Sequence, residues 1–480
     1  MATPAVTDFP SLTVSSQGLL ARGSFAESQA RFLDPDAEQI ARLRRLLDEK
    51  RAGIVAHFYM DVELQAVLHA CEHPNIHISD SLVMADAAVE MAKRGVETIV
   101  VLGVDFMSEN VRAMLDASGF ENVAVYRVAE DEIGCSLAAS AEALAYGAYL
   151  TTASKTPKSL HVVYINTSLR TKARAQHLVP TITCTSSNVV QTILQAAAQE
   201  PEVSIWFGPD TYMGRNLEVM FETMTKMSGE EVAAIHPAHS PESIAALLTR
   251  YHYFKQGNCV VHHMFGADVV ERVRAQHADA HITAHLEVPG EMFSLALEAR
   301  AEGRGVVGST SDILGYIGRK VDAAVGAGEG GTLSFVLGTE AGMVSSIVRS
   351  LRQRLQAAGD SAPAVEIIFP VASEAVAIDT SDAEMPLIPG VAGGEGCSVA
   401  GGCATCPYMK MNTLDATFDV LERSADRQGL VAYEPEKYEE QIDGQSVAKL
   451  GGVPILHMRG FQLAKVLPGE LIEDMRTRVA

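Results

Sequence analysis

The residues most able to do chemistry are the cysteines. Cys403 and Cys406 form C-A-T-C followed by Pro407, and Cys397 stands six residues earlier. A C-x-x-C pair serves zinc, a redox dithiol or an iron–sulfur centre. Zinc needs a second ligand pair at matching spacing, which the chain lacks, and a thioredoxin-like dithiol opens a helix after a strand rather than sitting in a Gly-rich loop. An iron–sulfur centre tolerates the Cys-Pro step but takes its other thiolates from distant sequence. Spacing alone leaves iron–sulfur, redox dithiol and structural thiol open. Cys135 lies in IGCSLA ahead of a helical stretch, where helix-end N–H groups favour a thiolate. Cys259 begins an apolar run, with His262 three residues on. Cys135, Cys259 and Cys406 are each about one small domain apart, a spacing that suits three similar units meeting at one point. Three thiolates on a four-iron cluster would leave one iron free to act as a Lewis acid. Cys71 and Cys184 read as structural thiols.

His285 and Glu287 alternate along an expected strand, so they share a face and suit proton transfer, whereas His262 and His263 point to opposite faces. CTSSN (184 to 188) and GSTSDILGYI (308 to 317) each read as a hydroxyl-rich helix entry able to cradle a carboxylate or phosphate. Neither a G-x-x-x-x-G-K-[ST] loop nor a G-x-S-x-G elbow occurs, so nucleotide cofactors and serine-hydrolase chemistry have no support.

Short runs nearly continuous in Val, Ile and Leu, as strands covered on both faces require, must position these groups. They are GIVAH (53 to 57), ETIVVLG (97 to 103), NVAVY (122 to 126), LHVVYIN (160 to 166), VSIWFG (203 to 208) and CVVHH (259 to 263). HITAHLE (281 to 287), GVVGS (305 to 309), LSFVLG (333 to 338) and VEIIF (365 to 369) follow. Amphipathic stretches alternate with them, which predicts α/β units, stacked αβα sandwiches before a (β/α)₈ barrel. Polar groups recur at the downstream ends: His57 and Tyr59, Asn166, Asp210, His262, Glu287, Ser309 and Thr310, Thr339 and Glu340. Carboxyl ends of parallel strands face the ligand crevice, so the pattern predicts one site built from many strand ends. Residues 1 to 36 lack periodicity and read as a loosely held extension, and 386 to 412 as a backbone-dominated loop.

With 38 Lys and Arg against 60 Asp and Glu, the net charge of −22 disfavours nucleic acid and anionic membranes, though not a small anionic substrate. No apolar run spans a bilayer and no secretory signal precedes Arg22, so the expectation is a cytoplasmic protein.

AHFYMDVELQ (56 to 65), DSLVMA (80 to 85), GVDFMSEN (103 to 110), IGCSLA (133 to 138), VVYINTS (162 to 168) and CTSSN resemble, in order, the motifs of the quinolinate synthases. So do GPDTYMG (208 to 214), NCVVHH (258 to 263), AHLEVP (284 to 289), VGSTS (307 to 311), GTEAGM (338 to 343) and CPYMKMNTL (406 to 414). The resemblance covers roughly 40 to 415. It implies an enzyme of NAD biosynthesis that condenses iminoaspartate with dihydroxyacetone phosphate to quinolinate, releasing phosphate and water. It also implies three αβα (Rossmann-like) sandwich domains with pseudo-threefold symmetry around a central 4Fe-4S cluster. On this reading 1–36 is the extension, 37–147 holds Cys135, 148–258 precedes Cys259, 259–415 carries Cys406, and 416–480 is a C-terminal helical segment. The implied cluster ligands are Cys135, Cys259 and Cys406. Tyr59, Tyr164, His285 and Glu287 would move protons. His57, Ser81, Asn166, Ser186, His262, Ser309 and Thr310 would hold carboxylates and phosphate. An L-aspartate oxidase is the implied supplier of iminoaspartate. The competing class is a cysteine-based redox sensor or metal carrier using Cys397, Cys403 and Cys406 alone.

Overall fold

The computed structural model describes residues 8–359, 362–370, 405–438 and 440–478. Cys397 and Cys403, and with them the question of a Cys403–Cys406 disulfide, lie outside the described residues, as does most of the 386 to 412 loop. The chain forms two compact units. One comprises Met1–Ala52, Ala56–Asp80 and Val260–Ala425, the other Gly53–Val55, Ser81–Cys259 and Asp426–Ala480. No helix among the described residues is long and apolar enough to cross a membrane.

The strands are β1 (Ser11–Ser15), β2 (Gly18–Arg22), β3 (Ala52–His57), β4 (Ile76–Ser79), β5 (Thr98–Leu102), β6 (Ala124–Tyr126), β7 (Ser159–Tyr164) and β8 (Thr181–Cys184). After them come β9 (Ser204–Gly208), β10 (Tyr251–Tyr253), β11 (His281–His285), β12 (Gly305–Gly308), β13 (Thr332–Gly338) and β14 (Ala364–Ile368). They make three separate sheets, ordered β4-β3-β5-β6, β10-β9-β7-β8 and β12-β11-β13-β14-β1-β2. Pairing is parallel throughout the second sheet and from β12 to β14 in the third, as helical crossovers between consecutive strands require. Repeated α/β sheets are therefore the fold, and the barrel alternative falls.

β3, β5, β7 and β9 are buried at every position, which is why their sequences are mostly apolar and show no regular polar alternation. Helices begin on side-chain caps where the strands end. Asp61, Ser168, Asp210 and Ser309 each accept a backbone N–H from the first turn of the helix that follows.

The N-terminal stretch corrects the expectation of a loose extension. β1 pairs antiparallel with both β14 and β2, and its Leu12 and Val14 are fully buried among Phe335, Val365 and Ile367. The two apolar side chains of SLTVS alternate toward the core, while Ser11 Oγ donates to Glu366 Oε1 at 2.8 Å. The run CVVHH is not a strand either. It passes into a short 3₁₀ turn, His262–Met264, that buries His262 and exposes His263. Only one of the two histidines reaches the interior, as expected, but through turn geometry instead of strand alternation.

Candidate active site

In the first unit β3 ends at His57, and the turn after it carries Tyr59. Tyr59 donates its backbone N–H to His57 Nδ1 at 3.2 Å, and the two rings meet edge to face at 4.7 Å. Burial lowers His57 to about 3, so its ring is neutral and Nδ1 accepts. The Tyr59 hydroxyl lies 3.2 Å from Thr310 Oγ1 and 3.3 Å from Thr339 Oγ1. Burial, with Glu287 adding to it, holds this phenol above its usual range, so it stays protonated.

Gln65 fixes the turn. Its fully buried amide nitrogen reaches the carbonyls of Phe58, Met60 and Gly342 at 2.7 to 2.8 Å. Gly342 is required there, because a Cβ would stand 2.9 Å from Tyr59 Cα.

His262, His285 and Glu287 form a sealed group with 1–3% exposure. Glu287 Oε2 stands 2.8 Å from His262 Nδ1 and 3.7 Å from His285 Nδ1, and the imidazoles stack at 4.9 Å with 15° between planes. β11 ends at His285, so Glu287 belongs to the following turn, and its N–H donates to His285 Nδ1 at 3.3 Å. Burial lowers His285 to about 4 against the opposing pull of Glu287. His262 Nε2 reaches Thr339 Oγ1 at 3.4 Å, which ties the group to Tyr59.

Cys259, the last residue before the chain enters this unit and three positions from His262, offers its Sγ within 4.8 Å of ligand atoms of His262 and Glu287. That Cys/His/Glu set can hold a metal ion. Glu340 Oε1 accepts the Cys406 N–H at 2.6 Å, and burial raises this carboxyl well above its ordinary range. Ser309 caps the helix Thr310–Ala327 in a reciprocal pair with Asp312, which places Thr310 at the helix start, facing Tyr59.

In the second unit Tyr164 ends β7 opposite Cys184 at the end of β8, and Ile165 N–H donates to the Cys184 carbonyl at 2.9 Å. Asn166 and the turn bearing Ser186 therefore follow neighbouring strand ends. Ser81 is buried at the start of its helix Ser81–Lys93. Ser136 Oγ donates to the Asn258 carbonyl at 3.0 Å, joining the residues next to Cys135 and Cys259. Cys135 is half-buried at the N-cap position of Ser136–Glu142. Asp210, noted as a strand-end group, is the cap of Thr211–Met224, with Met213 N–H at 2.7 Å.

Chain-wide comparison agrees with this geometry. The family model described as "Quinolinate synthetase A protein" matches residues 41–442. The chloroplastic quinolinate synthase of Arabidopsis thaliana is 54% identical over 98% of this chain and 68% of its own length. The chloroplastic enzymes of Nicotiana tabacum (53%, 98% of this chain, 67% of its own length) and Oryza sativa subsp. japonica (52%, 98% and 70%) are similar to it as well. The chain belongs to the quinolinate synthase family. It is an enzyme of NAD biosynthesis that forms quinolinate from small molecules. The cytoplasmic expectation is overturned by these relatives, whose compartment is the chloroplast.

Two residues that the motif reading left without a role are prominent in the site. Thr339 joins Tyr59 to His262, and Glu340 holds the Cys406 backbone. Both were visible as polar groups after an apolar run. Gln65 gave a fainter signal, one amide within the apolar helix VELQAVLHAC.

Proposed function

We propose that the substrates are iminoaspartate and dihydroxyacetone phosphate, condensed with loss of phosphate and water, and that Cys135, Cys259 and Cys406 hold a 4Fe-4S cluster. The donor chemistry fits. All three cysteines are half-buried, so they can meet a metal, whereas Cys71 and Cys184 are sealed and burial pushes their thiols up. Cys135 at a helix N-terminus favours the thiolate. When bound, the cluster would supply a Lewis acid for the departing hydroxyl. An L-aspartate oxidase is the class of enzyme that would deliver iminoaspartate.

The observation that carries the reading is the buried group of Tyr59, His262, His285 and Glu287 beside Cys259. His285, neutral through burial, accepts a proton that Glu287 stabilises. Tyr59, kept protonated, donates toward a developing oxyanion. Tyr164 takes a second proton-transfer role. Thr310, with Ser309 at a helix N-terminus, suits the phosphate. His57, His262, Ser81, Asn166 and Ser186 orient carboxylates by hydrogen bonds. The three sheets support a division into αβα domains over 37–147, 148–258 and 259–415.

The test is anaerobic iron and sulfide analysis of the parent protein beside Cys135→Ala, Cys259→Ala and Cys406→Ala. The expected parent is brown, with a broad band at about 400 nm, and each variant loses it. Full cluster content in any one variant rejects that residue as a ligand. Retention in both Cys135→Ala and Cys259→Ala favours a carrier built on Cys397, Cys403 and Cys406.

A further inference from the structure

Lys172 lies on the helix Leu169–Leu178 and is fully buried. A buried ammonium must be matched by acceptors, and Met would fill the same volume without that demand. Its Nζ is spent on two peptide carbonyls, those of Ile165 at 3.1 Å and of Thr167. These carbonyls bracket Asn166, in the turn that follows Tyr164. The ammonium thus reaches back along its own helix to clamp the turn that opens it.

The acidic group whose field reaches Lys172 is Glu109, buried on the helix Asp105–Ala117. Its Oε2 accepts the N–H of Leu169, the first residue of the lysine's helix, at 2.7 Å, where a carboxylate is favoured. Its Oε1 accepts the hydroxyl of Tyr438 at 2.7 Å. Tyr438 belongs to the C-terminal segment, to which the family's motifs give no role. A second tie comes from the same segment. Gly451 lies so close to Leu169 that a Cβ would stand 2.4 Å from the Leu169 carbonyl oxygen. Burial and the mutual attraction of Glu109 and Lys172 act on both charges, so loss of either partner disturbs the other.

We infer that Tyr438, through Glu109 and the Leu169 N–H, and Lys172, through the carbonyls of Ile165 and Thr167, hold one helix start between them, so that the C-terminal segment sets the turn bearing Tyr164 and Asn166 and Lys172 is a positioning residue for the substrate groups there. The inference rests on the assignment of Tyr164 and Asn166 to the substrate. It gives the tail a task at a distance from the chemistry, since a misplacement of about 1 Å can cost about 100-fold in rate.

The test uses the cluster-bearing enzyme. Tyr438→Phe removes one hydroxyl that touches neither the turn nor substrate, and the charge-balanced Lys172→Met/Glu109→Gln avoids the unpaired charge that could unfold a single variant. Readouts are kcat and KM at equal iron content, thermal midpoint, and peptide-resolved amide exchange over 164–169. Tyr438→Phe is expected to lower kcat/KM about 5- to 10-fold and the double variant about 100-fold. Both should exchange faster at the turn and melt within a few degrees of the parent. Unchanged exchange in both variants overturns the inference. So does faster exchange with parental kcat/KM while Asn166→Ala is impaired. If Asn166→Ala is itself unimpaired, the substrate assignment has failed and the inference falls with it, a result the exchange data separate from a missing link.

Discussion

Glu287→Gln keeps the shape of the buried His262–Glu287–His285 group and removes its charge. The carboxylate is 3% exposed and lies 2.8 Å and 3.7 Å from the two imidazoles. Unit charges about 4 Å apart interact by about 4 kcal/mol at an effective dielectric near 20, equivalent to about three pKa units. That is the help Glu287 gives to a proton arriving on His285. Burial already lowers His285 to about 4, so without the carboxylate the ring becomes a poor proton acceptor. The variant should lose about 100- to 1,000-fold in kcat, within the usual range of general acid–base terms, with KM changed less than about threefold. Stability should hold or rise, because a neutral amide costs less to bury than a carboxylate. The assay is quinolinate formation by anaerobically reconstituted enzyme, with iron content and melting recorded on the same preparation. A kcat within about threefold of the parent at full iron content would refute the proton-transfer role. Lost iron would instead make Glu287 a metal ligand, in keeping with its position beside Cys259.

Acid should weaken the second unit through His161, which is fully buried against the Tyr146 hydroxyl at 2.8 Å and lowered to about 3 by burial. The folded ring stays neutral while the unfolded one takes up a proton below about 6.5, so stability is full above that pH and falls toward about 3, by about 1.4 kcal/mol per unit. Urea midpoints of His161→Gln measured across this window should show a slope shallower by one proton. Asp210→Ala removes the cap of Thr211–Met224 and should cost about 1 to 2 kcal/mol by denaturant titration. Gly257→Ala puts a Cβ 2.2 Å from the Pro209 carbonyl oxygen. It should cost about 1 to 3 kcal/mol and, by shifting Asn258 away from Ser136, lower the iron content.

The strands legible in the sequence were those buried on both faces. β3, β5, β7 and β9 declare themselves because, His57 and His161 aside, every position is apolar or small. β4 (IHIS), β8 (TITC) and β10 (YHY) were missed for the complementary reason. Their polar side chains suggest solvent, yet β8 is sealed, and Thr181 Oγ1 is satisfied by the Val179 carbonyl at 2.8 Å. Whether a hydroxyl is wet or bonded to backbone is decided by neighbours remote in sequence. CVVHH failed in the opposite direction: an apolar run of that length fits a strand or a tight turn equally, and only the packing of His262 on His285 selects the turn.

The same asymmetry governs the site. Residues that touch one another across strand ends, such as Tyr59 with Thr310 and His262 with Glu287, were legible because each follows an apolar run. Supporting residues lie within helices, where charge reads as surface. Glu109 and Lys172 look like ordinary polar positions of amphipathic helices, and their burial follows from a partner, Tyr438, 329 positions from Glu109 in the chain. A parallel sheet delivers functional groups to its carboxyl edge by local geometry, so local sequence reveals them. Rigidity at that edge comes from buried hydrogen bonds with no local pattern: Gln65 beneath Tyr59 and Lys172 beneath Asn166. Each places a polar group under a reactive one, a costly arrangement unless its bonds are met. Changes at these supports should therefore alter turnover more than their distance from substrate suggests.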